Sequence, residues 1–362
     1  MAKKPKTVST RTTAPQKTYN MAPRPRSPWQ FQVMIKIALG FDGKHWNFKN
    51  SNGEMQTQIE FVNALKADPK FVLKENQQEE MRARTYLTMN PTRLGFCYKE
   101  KIKTKGEKKD ILRFTPAAKQ LAKEENIEYV WLKQLLKWQI PSYQDNEKHM
   151  LKNSSHPFLS AIKICLKLGK LTDDRDQEYL SKEEVGIFLI TMTNDNQADG
   201  IAHEIIKLRK TLDGKKKSEK RVLRKEYHIN RLKTITYKAD IKAGHYQKRQ
   251  SSKKITPDEF VIHKAGQHIS DYSDAGIRYM RATGIFVVSS RVSRLRLNQR
   301  QRWKAEQIAN DTNLRKLNCD YTNVEKFYEW FGDLSKPKLP WENKDGYKQE
   351  IFENLKYVKE NL

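Results

Sequence analysis

The clearest pattern of apolar and polar positions lies within residues 271–311. Ile277 and Met280 are spaced as on one face of a helix, and Ile285 to Val288 is β-branched and aromatic enough for a strand. Arg294 to Leu297 alternates basic and apolar residues, which predicts a second strand with its apolar side chains on one face. Helical composition then returns. The predicted order is helix, strand, basic turn, strand and helix.

This order is typical of a winged-helix module, in which one helix enters the DNA major groove and a hairpin contacts the backbone. Between Arg278 and Lys304 the chain has eight basic residues and neither Asp nor Glu. A helix face that is only exposed to water usually mixes both signs, so a polyanionic partner is the better explanation. A planar guanidinium can bind guanine bidentately, so for contacts to base edges we favour Arg278, Arg281, Arg294 and Arg296. Arg291, in the predicted turn, is a further DNA-binding candidate.

The same layout occurs earlier in the chain. Leu94 to Phe96 resembles Thr283 to Ile285, and Leu112 to Phe114 resembles Leu295 to Leu297. The predicted turn of this first hairpin is rich in lysine, and its candidate DNA-binding residues are Lys103, Lys105 and Lys108. We assign them to the phosphate backbone, because an ammonium group is a point charge without the planar fork of arginine.

Thr115 and Asn298 follow the second strands of the two hairpins, at positions suited to a helix N-cap. We therefore predict a mainly α fold with small β-hairpins (α+β), built from two winged-helix-like modules joined by helices. A repeat this short is also consistent with two unrelated hairpin and helix units.

Composition strengthens the expectation of a nucleic-acid partner. The 362 residues carry a formal net charge of +27, with 37% hydrophobic residues and a mean hydropathy of −0.87. Nucleic acid is the commonest partner that relieves such an excess, although a membrane surface or an acidic protein remains an alternative. The sequence has no apolar run near the roughly 20 residues that span a bilayer and no signal-peptide core, so we expect a cytoplasmic protein without membrane contact. Cys97, Cys165 and Cys319 give neither a disulfide framework nor a zinc spacing, and the scattered histidines are expected to be ordinary helix or surface residues.

Further basic segments flank the two hairpins. Residues 1–26 have seven Lys or Arg and no acid, which predicts a disordered arm whose Arg24 and Arg26 either enter a minor groove or serve as a tether. Arg82 and Arg84 precede the first hairpin. Residues 214–254 contain fifteen basic and three acidic residues, and the candidates for phosphate contact at their end are Lys248, Arg249, Lys253 and Lys254.

Asn194 and Asn196 stand at the start of a predicted helix, where they suit either N-capping or contacts to phosphate and base edges. For the whole chain we expect four parts: a basic arm (1–26), a first recognition module (27–150), a second recognition module (151–320) and a helical linker (321–362).

Several runs of sequence resemble the AlwI-like family of type IIS restriction and strand-nicking endonucleases. They are 131–144 (WLKQLLKWQIPSYQ), 191–199 (TMTNDNQAD) and 279–287 (YMRATGIFV), with 26–28 and 94–96 in addition. The similarity extends over most of residues 20–335. It implies that the N-terminal half recognises a short asymmetric DNA site in a prokaryotic cell, while a C-terminal nuclease domain of the PD-(D/E)xK type cuts to one side using Mg²⁺.

The chain departs from that pattern because it stops where the nuclease is expected to begin. Mg²⁺-dependent cleavage needs two carboxylates on adjacent strands and a nearby lysine. Residues of the required types occur at Asp258 after Pro257, at Glu342 to Lys344 and at Glu107 to Lys109. None of them is placed as the nuclease motif requires, because the first two lie far apart, Glu342 lies in a Pro-rich segment, and Glu107 lies in a basic turn before the Pro-Asp pair. We therefore expect no catalytic residue, metal or cofactor in this chain, with Mg²⁺ belonging to a separate nuclease domain or catalytic subunit.

The function expected from the sequence is recognition of double-stranded DNA within a type IIS restriction or nicking endonuclease. Two alternatives remain open at this stage. One is a complete or partner-dependent Mg²⁺-dependent endonuclease, and the other is an architectural winged-helix protein without sequence preference.

Overall fold

Two β-hairpins, each followed by a short helical segment, organise the chain. In the first, β1 (Cys97–Thr104) and β2 (Glu107–Phe114) are antiparallel, with Lys103 opposite Lys108. The first predicted hairpin is therefore confirmed. The computed structural model describes residues 25, 27–71, 83–87, 90–104, 107–139, 155–244, 255–287, 294–315, 323–342 and 344–361.

The second hairpin belongs to a sheet of three strands. β4 (Phe286–Val287) is antiparallel to β5 (Arg294–Leu297), as the alternation of apolar residues predicts. Leu295 and Leu297 are buried, because they share the face of β5 that packs on the core. A further strand, β3 (Tyr179–Ser181), pairs with the other edge of β5, so the strand order is β3-β5-β4. The sequence pattern did not predict β3, which has three residues.

The two hairpins begin and end with equivalent hydrogen bonds. Gly95 and Gly284, just before the first strand of each, have φ angles of +75° and +72°, which glycine adopts without strain. Thr115 donates its hydroxyl to the Gly95 carbonyl at 2.7 Å, and Asn298 donates its side-chain amide to the Gly284 carbonyl at 2.9 Å. The backbone N–H of Thr115 and that of Asn298 bond the next carbonyl along, at 3.0 and 2.9 Å. The predicted repeat is thus a repeat of geometry as well as of residue types.

The two predicted N-caps behave differently. Asn298 accepts a bond from the Arg300 backbone N–H at 3.2 Å, so it caps the helical turn Gln299–Gln301 as well as bonding Gly284. Thr115 precedes a helix, but its side chain does not cap it. Its hydroxyl is turned toward the Gly95 and Phe96 carbonyls instead, so the cap predicted at this residue is wrong in its side-chain bond.

An outer segment pairs with each hairpin on the same side. His45 forms an antiparallel bridge to Ile111 of β2, with backbone bonds from Trp46 to Asp110 at 2.8 Å on one flank. The order in the first unit is therefore the His45 segment, β2, β1. This matches β3-β5-β4 in the second unit, because in both cases the outer segment pairs with the later strand of the hairpin.

Helices make up most of the remaining described chain. In the first half they are α1 (Pro28–Ala38), α2 (Gln56–Ala67), α3 (Ala83–Leu87), α4 (Asn90–Arg93), α5 (Pro116–Ala122) and α6 (Ile127–Lys137). In the second half they are α7 (Pro157–Thr172), α8 (Lys182–Glu184), α9 (Ala198–Leu212), α10 (Lys217–Arg231), α11 (Lys238–Lys242), α12 (Pro257–Gln267), α13 (Ser273–Arg281), α14 (Arg302–Asn310), α15 (Val324–Gly332) and α16 (Lys344–Asn361). Wider π-helical turns continue α8, α10 and α12 at Val185–Leu189, Leu232–Thr236 and His268–Tyr272.

Helix α6 joins the two hairpin units through an aromatic cluster. Trp131 of α6 lies 5.1 Å from Phe31 of α1, 5.3 Å from Phe96 beside β1 and 5.1 Å from Tyr279 of α13, measured between ring centroids. All four rings are fully buried. Trp131 is therefore a packing residue at the junction of the two units. One hydrophobic core continues from α1 to the segment after α15, so both hairpins rest on the same interior.

Within the described residues, we find no helix that is long and apolar enough to cross a bilayer.

The close approach of Gly95 to the core gives a test of this packing. A Cβ at Gly95 would lie 2.5 Å from the Phe331 ring and 2.8 Å from the Gln134 amide nitrogen, whereas a Cβ at Gly53, with a similar φ of +79°, would meet no atom within 4 Å. We predict that Gly95→Ala lowers the free energy of unfolding by about 2 to 4 kcal/mol, and Gly53→Ala by about 1 kcal/mol, because only the first adds overpacking to backbone strain. Equal losses in denaturant titrations of the two variants would contradict this view of the α6 contact.

Candidate nucleic-acid interface

The tip of the first hairpin carries lysines without acidic partners. Lys103 and Lys108 are exposed and lie directly opposite each other on the two strands. Like charges in this position destabilise a hairpin by a few tenths of a kcal/mol to about 1 kcal/mol. Among the described residues neither lysine has an ion pair, and the same is true of the exposed Lys101. An anion bound at the tip would relieve this repulsion.

Nearer the core, the cations of the same hairpin are paired. Arg113 donates to the Glu100 carboxylate at 2.6 Å, which raises the pKa of Arg113, and Lys99 lies 3.5 Å from Asp110. Both pairs are cross-strand contacts that tie β1 to β2 within the hairpin. The unpaired charge is therefore concentrated at the tip.

In the second unit, α13 places two arginines next to each other on its outer face. Tyr279 between them is fully buried, and its hydroxyl donates to the Pro25 carbonyl at 2.6 Å. Arg278 is exposed and pairs with Asp274 one turn earlier at 3.0 Å. Arg281 has no ion pair in the part of the chain that the structure describes. Partial burial, followed by repulsion from Arg278, lowers the pKa of Arg281, so an anion near this pair would stabilise both charges.

The two arginines of β5 have different surroundings. Arg294 places its guanidinium 4.1 Å from the centroid of the Tyr179 ring on β3. Arg296 forms an ion pair with Asp176. Asp176 is largely exposed, so this pair contributes little and a stronger anion can replace it. The base contacts expected of Arg294 and Arg296 remain predictions.

The asparagines before α9 take up local bonds. Asn194 accepts the backbone N–H of Asn196 at 2.8 Å and so caps the short turn Asp195–Gln197, as one of the two readings of the sequence predicts. Asp195 reaches across to α7, where it accepts bonds from the His156 ring at 2.6 Å and from Ser160 at 2.9 Å. Burial alone would raise the pKa of Asp195, but these bonds outweigh it and the pKa is lowered. A contact from Asn194 or Asn196 to DNA remains a prediction.

The other DNA-binding candidates lie outside the described residues: Arg24, Arg26, Arg82, Lys105, Lys248, Arg249, Lys253, Lys254 and Arg291. Arg84 lies on α3, but its side chain is likewise outside what the structure describes. Their roles stay predictions.

Comparison with known proteins now bears on these surfaces. The model of the AlwI restriction endonuclease family matches residues 92–362, which is most of the chain. The chain belongs to the AlwI restriction endonuclease family. No curated protein matches it. Among solved structures it is similar to one titled "Crystal structure of pyrene- and phenanthrene-modified DNA in complex with the BpuJ1 endonuclease binding domain", with a TM-score of 0.44 and 11% identity over 83% of this chain and 90% of that one.

Membership of the AlwI family raises the question of a Mg²⁺ site, and the described residues do not fit one. They contain no group of three or more His, Cys, Asp or Glu placed to hold a metal ion. Asp258 pairs with Lys233 at 2.7 Å, and Glu107 lies 3.9 Å from Lys109. Glu342 accepts bonds from Lys133 at 2.8 Å and Tyr129 at 2.5 Å, and these bonds, with that of the Leu339 N–H, hold its pKa below the usual value despite partial burial. Each candidate carboxylate thus lies beside a different lysine and apart from the other two, and we derive no cleavage step from them.

Sequence reasoning missed a set of residues beside β3. Tyr179 supports Arg294, while Lys210, Lys220 and Arg224 line the same open groove as both. The basic surplus of residues 214–254, which include Lys220 and Arg224, predicted phosphate contact for this part of the chain but not the groove. Tyr179 had no local signal, because its partner Arg294 is far away in sequence.

Two buried histidines position α10 against the helix that leads into α13. The His228 ring of α10 lies 5.6 Å from the His268 ring, and both are fully buried. They are helix residues, one of the two ordinary roles expected from the sequence, and not surface residues. His228 has no hydrogen-bond partner for either ring nitrogen among the described residues. Burial, and then the charge of Arg231, lowers the pKa of His228 to about 4, and burial with the neighbouring His228 lowers that of His268.

This contact predicts that stability depends on pH. An unfolded histidine binds a proton below about pH 6.5, whereas the folded His228 resists it down to about pH 4. The contribution to folding is therefore complete above pH 6.5 and is lost as the pH falls toward 4, at up to about 1.4 kcal/mol per pH unit for each histidine. We expect His228→Phe, which removes one titrating ring, to reduce this slope in denaturant titrations between pH 7.5 and 4.5. The account of the histidine contact fails if wild type and variant lose stability in parallel.

Proposed function

We propose that this chain recognises a short site in double-stranded DNA for a type IIS restriction endonuclease, using two winged-helix units. The observation that carries the proposal is the strand order, which is the same in both units: the His45 segment, β2, β1 and then β3, β5, β4. A winged helix has this order, with an early outer strand paired to the last strand of the hairpin. The hairpin turn then forms the wing.

The charges of each unit suit the parts of DNA that a winged helix contacts. In the first unit, Lys101, Lys103 and Lys108 at the tip of the wing are exposed, and ammonium groups suit the phosphate backbone. In the second unit, Arg278 and Arg281 project from α13, the helix directly before the hairpin. Arginine on such a helix suits the guanine edge in the major groove.

Cutting is assigned to another part of the enzyme. The three candidate carboxylates, Asp258, Glu107 and Glu342, each lie beside a different lysine and do not meet at one site. We therefore propose that a separate nuclease domain or catalytic subunit supplies the Mg²⁺ site. A recognition chain of this kind can bind as a monomer, because two different units reading one duplex define an asymmetric site.

Selection from a library of randomised duplexes tests the proposal. The purified chain should enrich one short asymmetric sequence at a fixed salt concentration. Tight binding without enrichment would instead indicate an architectural DNA-binding protein, and the proposal would be wrong.

Arg281 is the residue we expect to discriminate one base pair. Arg281→Ala should lower affinity for the selected site by about 1 to 3 kcal/mol and relax the preference at one position, because it removes a bidentate contact. Arg281→Lys keeps the charge and should lose the preference as well. If both variants weaken every duplex equally, Arg281 contacts the backbone and not a base.

A substitution in the lysine pair at the wing tip should affect stability and DNA binding in different directions. In Lys108→Glu the new carboxylate faces Lys103, so we expect unchanged or slightly higher stability, by up to about 1 kcal/mol. The same change should weaken DNA binding and reduce the slope of log affinity against log salt concentration by roughly one to two, because it removes phosphate contacts.

Lys338→Glu is the matched control, since Lys338 is exposed in the C-terminal segment and belongs to neither hairpin. Isothermal or fluorescence titrations of both variants against salt measure the difference. Equal weakening by the two substitutions would show that net charge, and not the wing, determines binding.

A further inference from the structure

An open groove with a volume of about 730 Å³ lies beside the second hairpin. Tyr179 of β3 and Arg294 of β5 are on one side of it, and the end of α9 and the start of α10 line the other. Outside the groove, helices α9 and α10 are tied together by Glu204, which accepts a bond from Tyr227 at 2.8 Å and pairs with Arg231. The groove is therefore built by packed elements.

Tyr179 is flanked by two arginines, and one of them is fully committed. The guanidinium groups of Arg209 and Arg294 each lie 4.1 Å from the centroid of its ring. Arg209 donates to both oxygens of Glu184, at 2.7 and 2.9 Å, to the Tyr179 carbonyl at 2.7 Å and to Gln177 at 3.1 Å. Its role is to fix β3, and it neutralises Glu184, which is one of the acids of the groove.

Arg294 has the same support and none of the same bonds. Stacking on Tyr179 holds its guanidinium plane, but among the residues that the structure describes no acceptor bonds it. A stacked arginine with its N–H edge open presents planar donors to a phosphate at little further cost in side-chain entropy. Arg294 is thus placed for an anion in the groove, and this phosphate contact would replace the base contact expected of Arg294 from the sequence.

The opposite wall supplies more positive charge. Lys210, Lys220 and Arg224 line the groove and have no ion pair within the described ranges. The remaining acids of the groove are Glu183 and Asp213. The charges of Arg209 and Glu184 neutralise each other, so the groove has an excess of positive charge. Four other cations line it, and only these two carboxylates oppose them.

From this arrangement we infer that the groove binds the phosphodiester backbone of duplex DNA outside the sequence that the two units read. The inference rests on the proposed function. If the second hairpin contacts DNA as proposed, the groove beside β5 lies next to that contact. Backbone that passes this wing continues toward α10. Binding there adds affinity and footprint without adding sequence preference.

Helix α10 offers a matched pair of variants. Lys220→Gln with Arg224→Gln removes two charges that line the groove, and Lys217→Gln with Arg221→Gln removes the same two charge types, at the same spacing, from exposed positions outside it. The groove variant should bind a long duplex containing the selected site about tenfold more weakly, with the salt slope reduced by about two. The control should change both quantities much less, and neither should change the selected sequence.

Three results decide the matter. Equal losses in the two double variants, or no loss in either, would overturn the groove while leaving sequence recognition intact. A changed sequence preference in the groove variant would also overturn it, because a backbone contact carries no base information. Failure of the wild-type chain to bind duplex DNA would instead refute the proposed function, and the inference would fall with it.

Discussion

The packing of Trp131 against Phe31, Phe96 and Tyr279 is the contact on which the rest of the structure depends. It brings together α1, the start of the first hairpin, α6 and α13, which come from distant parts of the chain. The Phe31 and Phe96 rings meet Trp131 edge to face and the Tyr279 ring is tilted against it. Aromatic rings each bury a large apolar area, and an edge-to-face pair adds about 0.5 to 1.5 kcal/mol beyond it. Since Tyr279 is anchored in this cluster, Arg278 and Arg281 on either side of it are held outward. A structural contact thereby fixes the direction of the charges that we assign to DNA.

Around this core, positive charge is divided into committed and uncommitted residues. Arg209, Arg302 and Arg231 have carboxylate partners and tie strands and helices together. Lys103, Lys108, Arg281 and Arg294 have none among the described residues, and they lie at a wing tip, on the outer face of α13 and at the edge of a groove. A net charge of +27 would otherwise act against a compact fold through self-repulsion. Unpaired cations at defined places are the arrangement expected of a surface that grips a polyanion.

Much of the local structure was predictable, because it depends on short patterns. The alternation in Arg294–Leu297 predicts β5, and the parallel between Gly95 and Gly284 predicts that the two hairpins begin in the same way. The N-cap position of Thr115 was predicted correctly, but its side-chain bond was not, because its hydroxyl donates to the Gly95 and Phe96 carbonyls. The strand β3 was not predicted, because three residues are too few to show an alternation of apolar and polar positions. The positive charge of α10 was predicted from the basic surplus of residues 214–254. Tyr179 and the groove were not predicted, because only the tertiary fold brings β3, β5, α9 and α10 together.

The central claim is that this chain grips duplex DNA through localised phosphate contacts, and the salt dependence of wild-type binding tests it most directly. Each neutralised phosphate contributes about 0.9 to the slope of log affinity against log salt concentration. The account predicts saturable duplex binding with a slope of roughly −4 or steeper, from the wing lysines together with the arginines of the second unit. A slope near zero, or no duplex binding at low salt, would contradict it.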